Sequence, residues 1–493
     1  MSEQGKKDRH DKGDDPRARV RGRAALGAGN NGGGGAHYVD EAPAGGASMN
    51  ASADAAGPHL RGGDADDADD AQDSGGSGGA PRSASKWTRR IATALAFIYA
   101  LAMFLLVLGI LVPPAGVLSA IGTLLESAFS LHIFLASAVA LLLALFARRL
   151  GGRGAAKLAI LLAAFALIGA LVPLVALVRA ANRYGAVIVW GEHLRARAPW
   201  GAAKPDQTQL YATVEGKPLY ADIYLAKGND GASASSSAPA GATSSSASAG
   251  ATNAAVLMIH GGGYSGGARS DGRDWDHWFA GLGYTVFDID YRLDPPPTWK
   301  DAADDVACAL GWIAAHANEY HVDPQRVLAS GQSAGGGLAL QVAYGLADGT
   351  FASSCGGAPV PPKAVFALYP PDDFALAWRM NTGIGPAGAR SLNAAYIGGS
   401  PEQYPQRYRA VSAVEHVRPE FPPTLVAAGE HDHLVPFAGH TELATDFSLA
   451  GVPNTLVAIP YGEHVFDAAW GGLGSQITRR ALQEFLAQHF PAR

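Results

Sequence analysis

Hydrophobic and polar residues divide this chain into three sections. Up to about residue 85 the hydrophobic residues follow no periodic pattern, and three long apolar runs then cover 91–112, 129–147 and 158–178. Each run is about as long as a helix that crosses a lipid bilayer. From about residue 209, short apolar runs alternate with amphipathic stretches, as strands alternate with helices. The pattern predicts an unstructured segment, a membrane domain and a separate globular domain.

The globular section, residues 209–493, predicts an α/β domain. Strand–helix alternation with short, nearly continuous apolar strands indicates a mostly parallel sheet flanked by helices on both faces. A Ser/Ala/Gly tract at 228–252 interrupts the pattern and predicts a flexible insert. Residues 370–411 also break the alternation, and we interpret them as a candidate cap over the carboxyl edge of the sheet, where such folds bind ligands.

The first section, residues 1–85, is predicted to be disordered. It is rich in Gly, Ala, Asp and Ser and contains almost no aromatic residues, with cations in its early part and acidic residues in its later part. Such a composition cannot bury enough apolar surface to offset the entropy cost of ordering. The whole chain has a net charge of −6 and no basic patch, which argues against a nucleic-acid partner.

The positions of cations predict how the three runs cross the membrane. Lys and Arg residues precede the first run and fill the loop between the second and third, whereas the predicted loop at 113–128 has neither. Because cytoplasmic loops carry an excess of Lys and Arg, we place residues 1–85 inside. Residues 86–180 then form the membrane domain, 181–208 a juxtamembrane linker, and the globular domain lies outside the cytoplasm. The alternative is a buried helical hairpin in a soluble domain.

Two cysteines, Cys308 and Cys355, lie in the predicted outer domain. An oxidising compartment would permit a disulfide between them. Cys308 lies in an apparently helical run, where a buried free thiol is equally compatible with the sequence. The spacing of the two residues does not decide between these alternatives.

Two glycine-rich motifs indicate a nucleophilic serine. The first, His260–Gly263, follows an apolar run at 255–259, and the second, Gly331–Gly335, follows the predicted strand at 326–330. A serine between two glycines at a strand-to-helix turn holds its hydroxyl exposed, which makes Ser333 the candidate nucleophile. Gly75–Gly79 has the same spacing, but it lies in the disordered section and is interpreted as a chance match.

The candidate base and acid follow the serine in the chain. Asp432 comes just past a predicted strand at 424–428, and His464 comes directly after the last predicted strand. The order Ser, acid, His is typical of nucleophilic catalysis on such sheets. The other acid candidates are Glu430, Asp372 and Asp373. A metal site at His431, Asp432 and His433 is disfavoured, because adjacent loop residues seldom converge on one ion.

An oxyanion hole is predicted from three backbone N–H groups, those of Gly261, Gly262 and Ala334. Ala334 opens a predicted helix, whose N-terminus favours negative charge. Glycine at 261 and 262 would let the backbone approach a substrate closely. His260 is interpreted as a brace for this loop and not as a proton carrier.

Together these motifs resemble the α/β-hydrolase carboxylesterases, most closely the hormone-sensitive-lipase-like and feruloyl-esterase-like branches. The resemblance rests on five motifs in order: 260–264, 290–293, 331–336, the D-x-x-V-P form at Asp432, and 462–464. It covers the chain from about Leu210 onward and implies the α/β-hydrolase fold and hydrolysis of short-chain acyl esters without a metal or organic cofactor. Gln332 and the segment 294–296 depart from the lipase-like pattern, so the branch stays open.

The function predicted from the sequence is that of a membrane-anchored serine esterase. Its substrate would be a small-molecule or lipid acyl ester, and the same residues could serve a peptidase or an acyltransferase. A membrane sensor with a degenerate hydrolase domain is disfavoured because all the catalytic motifs are intact. Three aromatic residues are candidates either for lining the substrate site or for core packing: Tyr264, Trp275 and Trp278.

Overall fold

The computed structural model describes residues 85–112, 116–197, 204–227, 252–383 and 387–493. Nearly all of the predicted disordered segment 1–85 and of the predicted insert 228–252 lies outside the described residues. The statements below concern the described residues.

Three long helices coincide with the three apolar runs: α1 (Lys86–Leu111), α2 (Val117–Arg149) and α3 (Gly154–Arg183). By length and composition, each could cross a membrane. The backbones of α1 and α2 approach closely where Gly122 faces Gly109, since a Cβ built on Gly122 would lie 3.0 Å from the carbonyl carbon of Gly109 and 2.8 Å from the nitrogen of Ile110. Helix α2 begins at Val117, so most of the stretch read as a loop at 113–128 is helical.

Helix α2 has a kink at Phe129, where φ is −133° and ψ is 28°. Just beyond this break, the N–H of Leu131 donates to Nε2 of His193 at 3.2 Å. His193 lies in the short helix α4 (Trp190–Arg195), and its Nδ1 is 3.3 Å from the carbonyl of Gly471. Burial lowers the pKa of His193, as expected for a neutral ring that accepts at one nitrogen and donates at the other. Residues 181–197 of the predicted linker are therefore structured around His193.

The globular section contains one eight-stranded sheet in the order β1-β2-β4-β3-β5-β6-β7-β8. The pairs β1–β2 and β2–β4 are antiparallel and the other five are parallel, as the apolar runs predict. The strands are β1 Gln207–Val214, β2 Lys217–Tyr224, β3 Asn253–Ile259, β4 Thr285–Ile289, β5 Val322–Gln332, β6 Ala364–Leu368, β7 Thr424–Gly429 and β8 Asn454–Ile459.

Helices cover both faces of this sheet. Alternate residues of β3 point to opposite sides, with Leu257 in one hydrophobic cluster and Val256 in the other. The last turns of α3, including Leu177, are buried in the second cluster. The helices of this domain are α5 Arg273–Gly281, α6 Asp301–Ala315, α7 Ala334–Asp348, α8 Phe374–Met380, α9 Ala389–Ile397, α10 Pro405–Val411, α11 Phe437–Leu449 and α12 Leu473–His489.

The segment interpreted as a cap, 370–411, contains the three short helices α8, α9 and α10. It is anchored by aromatic packing, since the ring of Tyr396 stacks on that of Tyr264 with centroids 3.6 Å apart. Phe374 packs against the same pair and is buried. This segment therefore rests on the loop that follows β3.

A disulfide joins Cys308 of α6 to Cys355, with the two Cα atoms 5.5 Å apart. This answers the question left open by the sequence in favour of the bridge. The bond closes a loop across a sequence separation of 47 residues, which contains β5 and the helix α7 that follows it.

Removing this bridge is expected to destabilise the protein. Cys355 is exposed, so Cys355→Ser should cost about 2–4 kcal/mol, mainly through the loop freed in the unfolded chain. Urea unfolding of the detergent-solubilised protein, followed by tryptophan fluorescence, measures the change. Dithiothreitol should lower the midpoint of the wild type to that of the variant and leave the variant unchanged. An unaltered wild-type midpoint would contradict the bridge.

Candidate active site

Ser333 lies at a sharp turn between the end of β5 and the start of α7. Its backbone has φ of 52° and ψ of −118°, a left-handed conformation that non-glycine residues rarely adopt. The turn is possible because glycines flank it: a Cβ on Gly335 would overlap the carbonyl oxygen of Ile259, and one on Gly331 would overlap Gly335. The Ser333 N–H donates to the carbonyl of Leu368 at 2.9 Å. The side chain is thus held outward from the sheet edge.

The structure brings Ser333, His464 and Asp432 into one hydrogen-bond chain. Nε2 of His464 is 2.9 Å from the Ser333 hydroxyl oxygen, and Nδ1 is 2.8 Å from Oδ2 of Asp432. Since an ionised carboxylate can only accept, Nδ1 carries the hydrogen and Nε2 is free to accept the serine proton. Oδ1 of Asp432 accepts from the N–H groups of Leu434 and Val435, both at 2.8 Å.

The surroundings of His464 favour its protonated form. Burial alone lowers the pKa of the imidazole, but the charge and hydrogen bond of Asp432 outweigh it, so the pKa is raised above 6.5. The carboxylates of Glu463 and Asp467 act in the same direction. An imidazole with a raised pKa is a stronger base for the serine proton.

The predicted oxyanion groups flank Ser333. A Cβ built on Gly261 would lie 3.0 Å from the carbonyl of Gln332 and 3.4 Å from Cβ of Ser333, so the loop after β3 passes directly beside the serine. Gly262 has φ of 109°, where a Cβ would also overlap Gly266. The N–H of Ala334 is the first in α7, where a helix has no internal acceptor.

His260 is buried and supports this loop. Its ring stacks on Tyr291 with centroids 4.3 Å apart, and Nδ1 contacts the carbonyl of Gly261 at 2.7 Å. Burial lowers the pKa of His260, so the ring stays neutral. These contacts fit the bracing role predicted for it.

The alternative acid candidates, and His433 beside Asp432, make other contacts. Glu430 is exposed, and Asp372 forms a buried pair with His440 at 2.7 Å. Nδ1 of His433 is 2.6 Å from Oε2 of Glu463. Asp373 caps helix α8 by accepting from the N–H of Leu376. Among the described residues, no group of three or more His, Cys, Asp or Glu side chains is arranged to hold a metal ion.

Asp467 is a buried carboxylate at this site, and the sequence analysis did not identify it. It accepts from the hydroxyl of Tyr369 at 2.5 Å, from Nε1 of Trp275 at 2.7 Å and from Nε2 of Gln332 at 2.9 Å. It therefore joins the residue before Ser333 to the end of β6 and to α5. Nothing in the spacing around Asp467 signals these contacts, because all three donors are distant in the chain.

A small apolar cavity of about 30 Å³ opens beside Ser333. Of the three aromatic candidates, Tyr264 lines this cavity and also packs in the first hydrophobic cluster. Trp275 lies in the second cluster and Trp278 packs against it. The aliphatic part of the lining comes from the segment 370–411 and from the loop after Asp432. Its residues are Ala377, Ala389, Leu392, Leu434 and Val435.

Comparisons with known proteins agree with the motifs. The family model BD-FAE matches residues 245–447. The probable carboxylic ester hydrolase LipM of Mycobacterium tuberculosis is 28% identical over 48% of this chain and 54% of its own length. Esterase LipQ of the same organism is 27% identical over 42% of this chain and 48% of its own length. The chain thus spans about half the length of these curated relatives.

Two further matches are of the same kind. Ethyl acetate hydrolase of Pseudomonas putida is 30% identical, covering 43% of this chain and 66% of that protein. A solved structure, Thermogutta terrifontis esterase 2 phosphoramylated by tabun, is 24% identical with a TM-score of 0.44, covering 58% of this chain and 96% of that one. The family-model and relative matches confirm that the C-terminal region resembles the α/β-hydrolase carboxylesterases.

The raised pKa of His464 predicts the pH dependence of Ser333 reactivity. Protonated imidazole cannot accept the serine proton, so the rate of labelling by a fluorophosphonate should be high above the raised pKa. It should fall as the pH drops through a value above 6.5. Asp432→Asn should lower the plateau rate by roughly 10³- to 10⁴-fold. The control is Glu430→Gln, because Glu430 is exposed and lies near Asp432 in the chain. This variant should keep the wild-type labelling rate at high pH and the same fall in rate at low pH. A wild-type acid limb below pH 6.5 would contradict the prediction.

Proposed function

We propose that this protein is a serine carboxylesterase held in a membrane by helices α1–α3. The observation that carries the proposal is the hydrogen-bond chain from Ser333 through His464 to Asp432. A serine hydroxyl is a weak nucleophile until a base removes its proton, and this chain supplies the base and orients it. The similarity to carboxylic ester hydrolases supports esters as the substrate class.

In the first half of the reaction, Oγ of Ser333 attacks the ester carbonyl carbon while Nε2 of His464 takes the hydroxyl proton. The negative charge that forms on the carbonyl oxygen is stabilised by the N–H groups of Gly261, Gly262 and Ala334. Collapse of this intermediate breaks the bond to the alcohol oxygen, which leaves with the proton from His464. The acyl group remains on Ser333.

In the second half, His464 removes a proton from a water molecule, and the hydroxide attacks the acyl carbonyl. The bond to Ser333 Oγ then breaks, Oγ takes back the proton, and the carboxylic acid is released. Asp432 stabilises the imidazolium in both halves and keeps Nδ1 protonated. No step needs a metal or an organic cofactor.

The cavity beside Ser333 favours short acyl groups. Its volume of about 30 Å³ exceeds the roughly 10–15 Å³ that one water molecule needs by only a small factor. Two- to four-carbon acyl chains would fill it, and longer chains would need the cap to move.

The surface of the three-helix unit supports membrane insertion. Large apolar side chains point outward along α2 and α3, with Leu142, Leu161 and Ile168 each about two-thirds exposed. A surface of this kind is costly in water and favourable in lipid. Arg89 lies next to Gly151, which brings the two predicted cytoplasmic basic stretches to one end of the unit. The catalytic domain would then lie on the outer, periplasmic or extracellular, side.

Labelling tests the nucleophile and the topology together. Intact cells producing the protein are treated with a membrane-impermeant fluorophosphonate. The wild type should be labelled, because the serine is activated and faces outward, and Ser333→Ala should not. Ser77→Ala, which removes the serine of the chance motif, should label like the wild type.

Hydrolysis of a nitrophenyl acetate by the purified proteins completes this test. Ser333→Ala should lose activity by about 10⁶-fold. Full activity in that variant would exclude the proposed mechanism. If labelling depends on Ser333 but occurs only after cell lysis, the serine mechanism would stand and the catalytic domain would lie on the cytoplasmic side. Acyl transfer to an amine or alcohol in preference to water would identify an acyltransferase.

Enlarging the cavity is expected to change acyl-length preference. Leu392 fills one wall next to Gly263, and Leu392→Ala removes three carbon atoms from it. The ratio of kcat/KM for nitrophenyl octanoate to kcat/KM for nitrophenyl acetate should rise by roughly 10-fold. This is the gain expected if the enlarged cavity accommodates about one to two more methylene groups. Leu449→Ala, which truncates an exposed leucine of α11, should leave the ratio unchanged. An unchanged ratio in Leu392→Ala would exclude this cavity as the acyl site.

A further inference from the structure

Glu463, the residue before the candidate base, connects both loops that carry the base and the acid. Its Oε1 accepts from the N–H of His464 at 3.0 Å and from the N–H of His433 at 2.8 Å. Its Oε2 is 2.6 Å from Nδ1 of His433. His433 directly follows Asp432, so one carboxylate ties the loop after β7 to the loop after β8.

Helix α2 supplies two further hydrogen bonds to this residue. The hydroxyl of Thr123 lies 2.5 Å from Oε2 of Glu463 and 2.9 Å from the carbonyl oxygen of Ser119, and the shorter contact, to a carboxylate, takes its one proton. The hydroxyl oxygen of Ser127 accepts from the N–H of Glu463 at 3.0 Å. Ser127 can accept there because its own proton is donated within the helix to the carbonyl of Thr123 at 2.9 Å. Glu463 and Thr123 are buried, so water does not compete for these bonds.

A buried carboxylate depends on all of its donors. Hydrogen bonds to an ionised group are about twice as strong as neutral ones, and an unsatisfied buried acceptor is costly. If the Thr123 donor is lost, Glu463 must turn towards its remaining donors or towards water. Its main-chain neighbour His464 would then move relative to Ser333, where a displacement of about 1 Å can cost 10²-fold in rate.

The position of Thr123 and Ser127 is set by the membrane unit. Both lie before the kink at Phe129, in the part of α2 that packs closely on α1 through Gly122. The kink itself is joined to the catalytic domain through His193. The same helix that packs among the apolar runs therefore contributes two hydroxyl groups to the support of the catalytic loop.

We propose that Thr123 and Ser127 of helix α2 are positioning residues for His464, acting through Glu463. Turnover then requires the membrane helices to be packed on the catalytic domain. This inference rests on the proposed function, since it assigns His464 as the base. Neither residue lines the cavity beside Ser333, so the expected effect is on the chemical step and not on binding.

Steady-state kinetics of the full chain in detergent micelles, with nitrophenyl acetate, tests the proposal. Thr123→Val keeps the shape and removes the donor, and kcat should fall by about 10- to 100-fold while KM stays within about twofold. Thr123→Ser restores a hydroxyl and should recover most of kcat. Ser127→Ala, which removes the acceptor for the Glu463 N–H, should lower kcat in the same way.

Ser137→Ala is the matched control, because this buried hydroxyl of α2 donates within its own helix, to the carbonyl of Ile133. It should keep the wild-type kcat. A wild-type kcat in Thr123→Val would overturn the proposal. So would equal losses in Thr123→Val, Thr123→Ser and Ser137→Ala, which would indicate a packing role alone. Ser333→Ala is assayed in parallel: activity that survives this change would refute the esterase mechanism instead.

Discussion

The arrangement of the whole site depends on how closely the backbones at the ends of β3 and β5 approach each other. The two strands are parallel neighbours with Ile259 opposite Gly331, so the loop that begins at His260 and the turn at Ser333 leave the sheet side by side. At that point the start of α7 lies against the carbonyl of Ile259, and only a hydrogen atom fits at Gly335. Any side chain there would push the serine turn away from His464 and from the loop at Gly261.

Much of this arrangement could be predicted from the sequence because it follows from local patterns. Apolar runs of strand length alternating with helical stretches give a parallel sheet, and parallel strands end at one edge. Ser333, Asp432 and His464 each come just after such a run. Their convergence therefore needed no knowledge of long-range contacts beyond the strand order. The role of the glycines in the two glycine-rich motifs could also be predicted, because each marks a turn that a side chain would obstruct.

The parts that could not be predicted depend on contacts between distant residues. Glu463 was visible as the neighbour of His464, but its partner Thr123 lies 340 residues away in a run read as a loop. Asp467 and His193 have equally remote partners, and no periodicity marks them. Whether the two cysteines form a disulfide could not be predicted, because it depends on the distance between their Cα atoms. In each case the sequence supplied the chemical group but not the geometry that gives it a role.

Helix α3 is one continuous helix that begins in the three-helix unit α1–α3 and ends in the core of the C-terminal domain, where Leu177 and Ala180 are buried. An enzyme on a flexible tether explores a volume, and its local substrate concentration depends on the tether length. An enzyme attached to a continuous helix explores almost no volume. In the proposed membrane esterase, Ser333 would stay at one distance from the membrane and in one orientation relative to the helix axis. Substrates would then have to diffuse to a fixed point, and their own mobility at that distance would set the encounter rate.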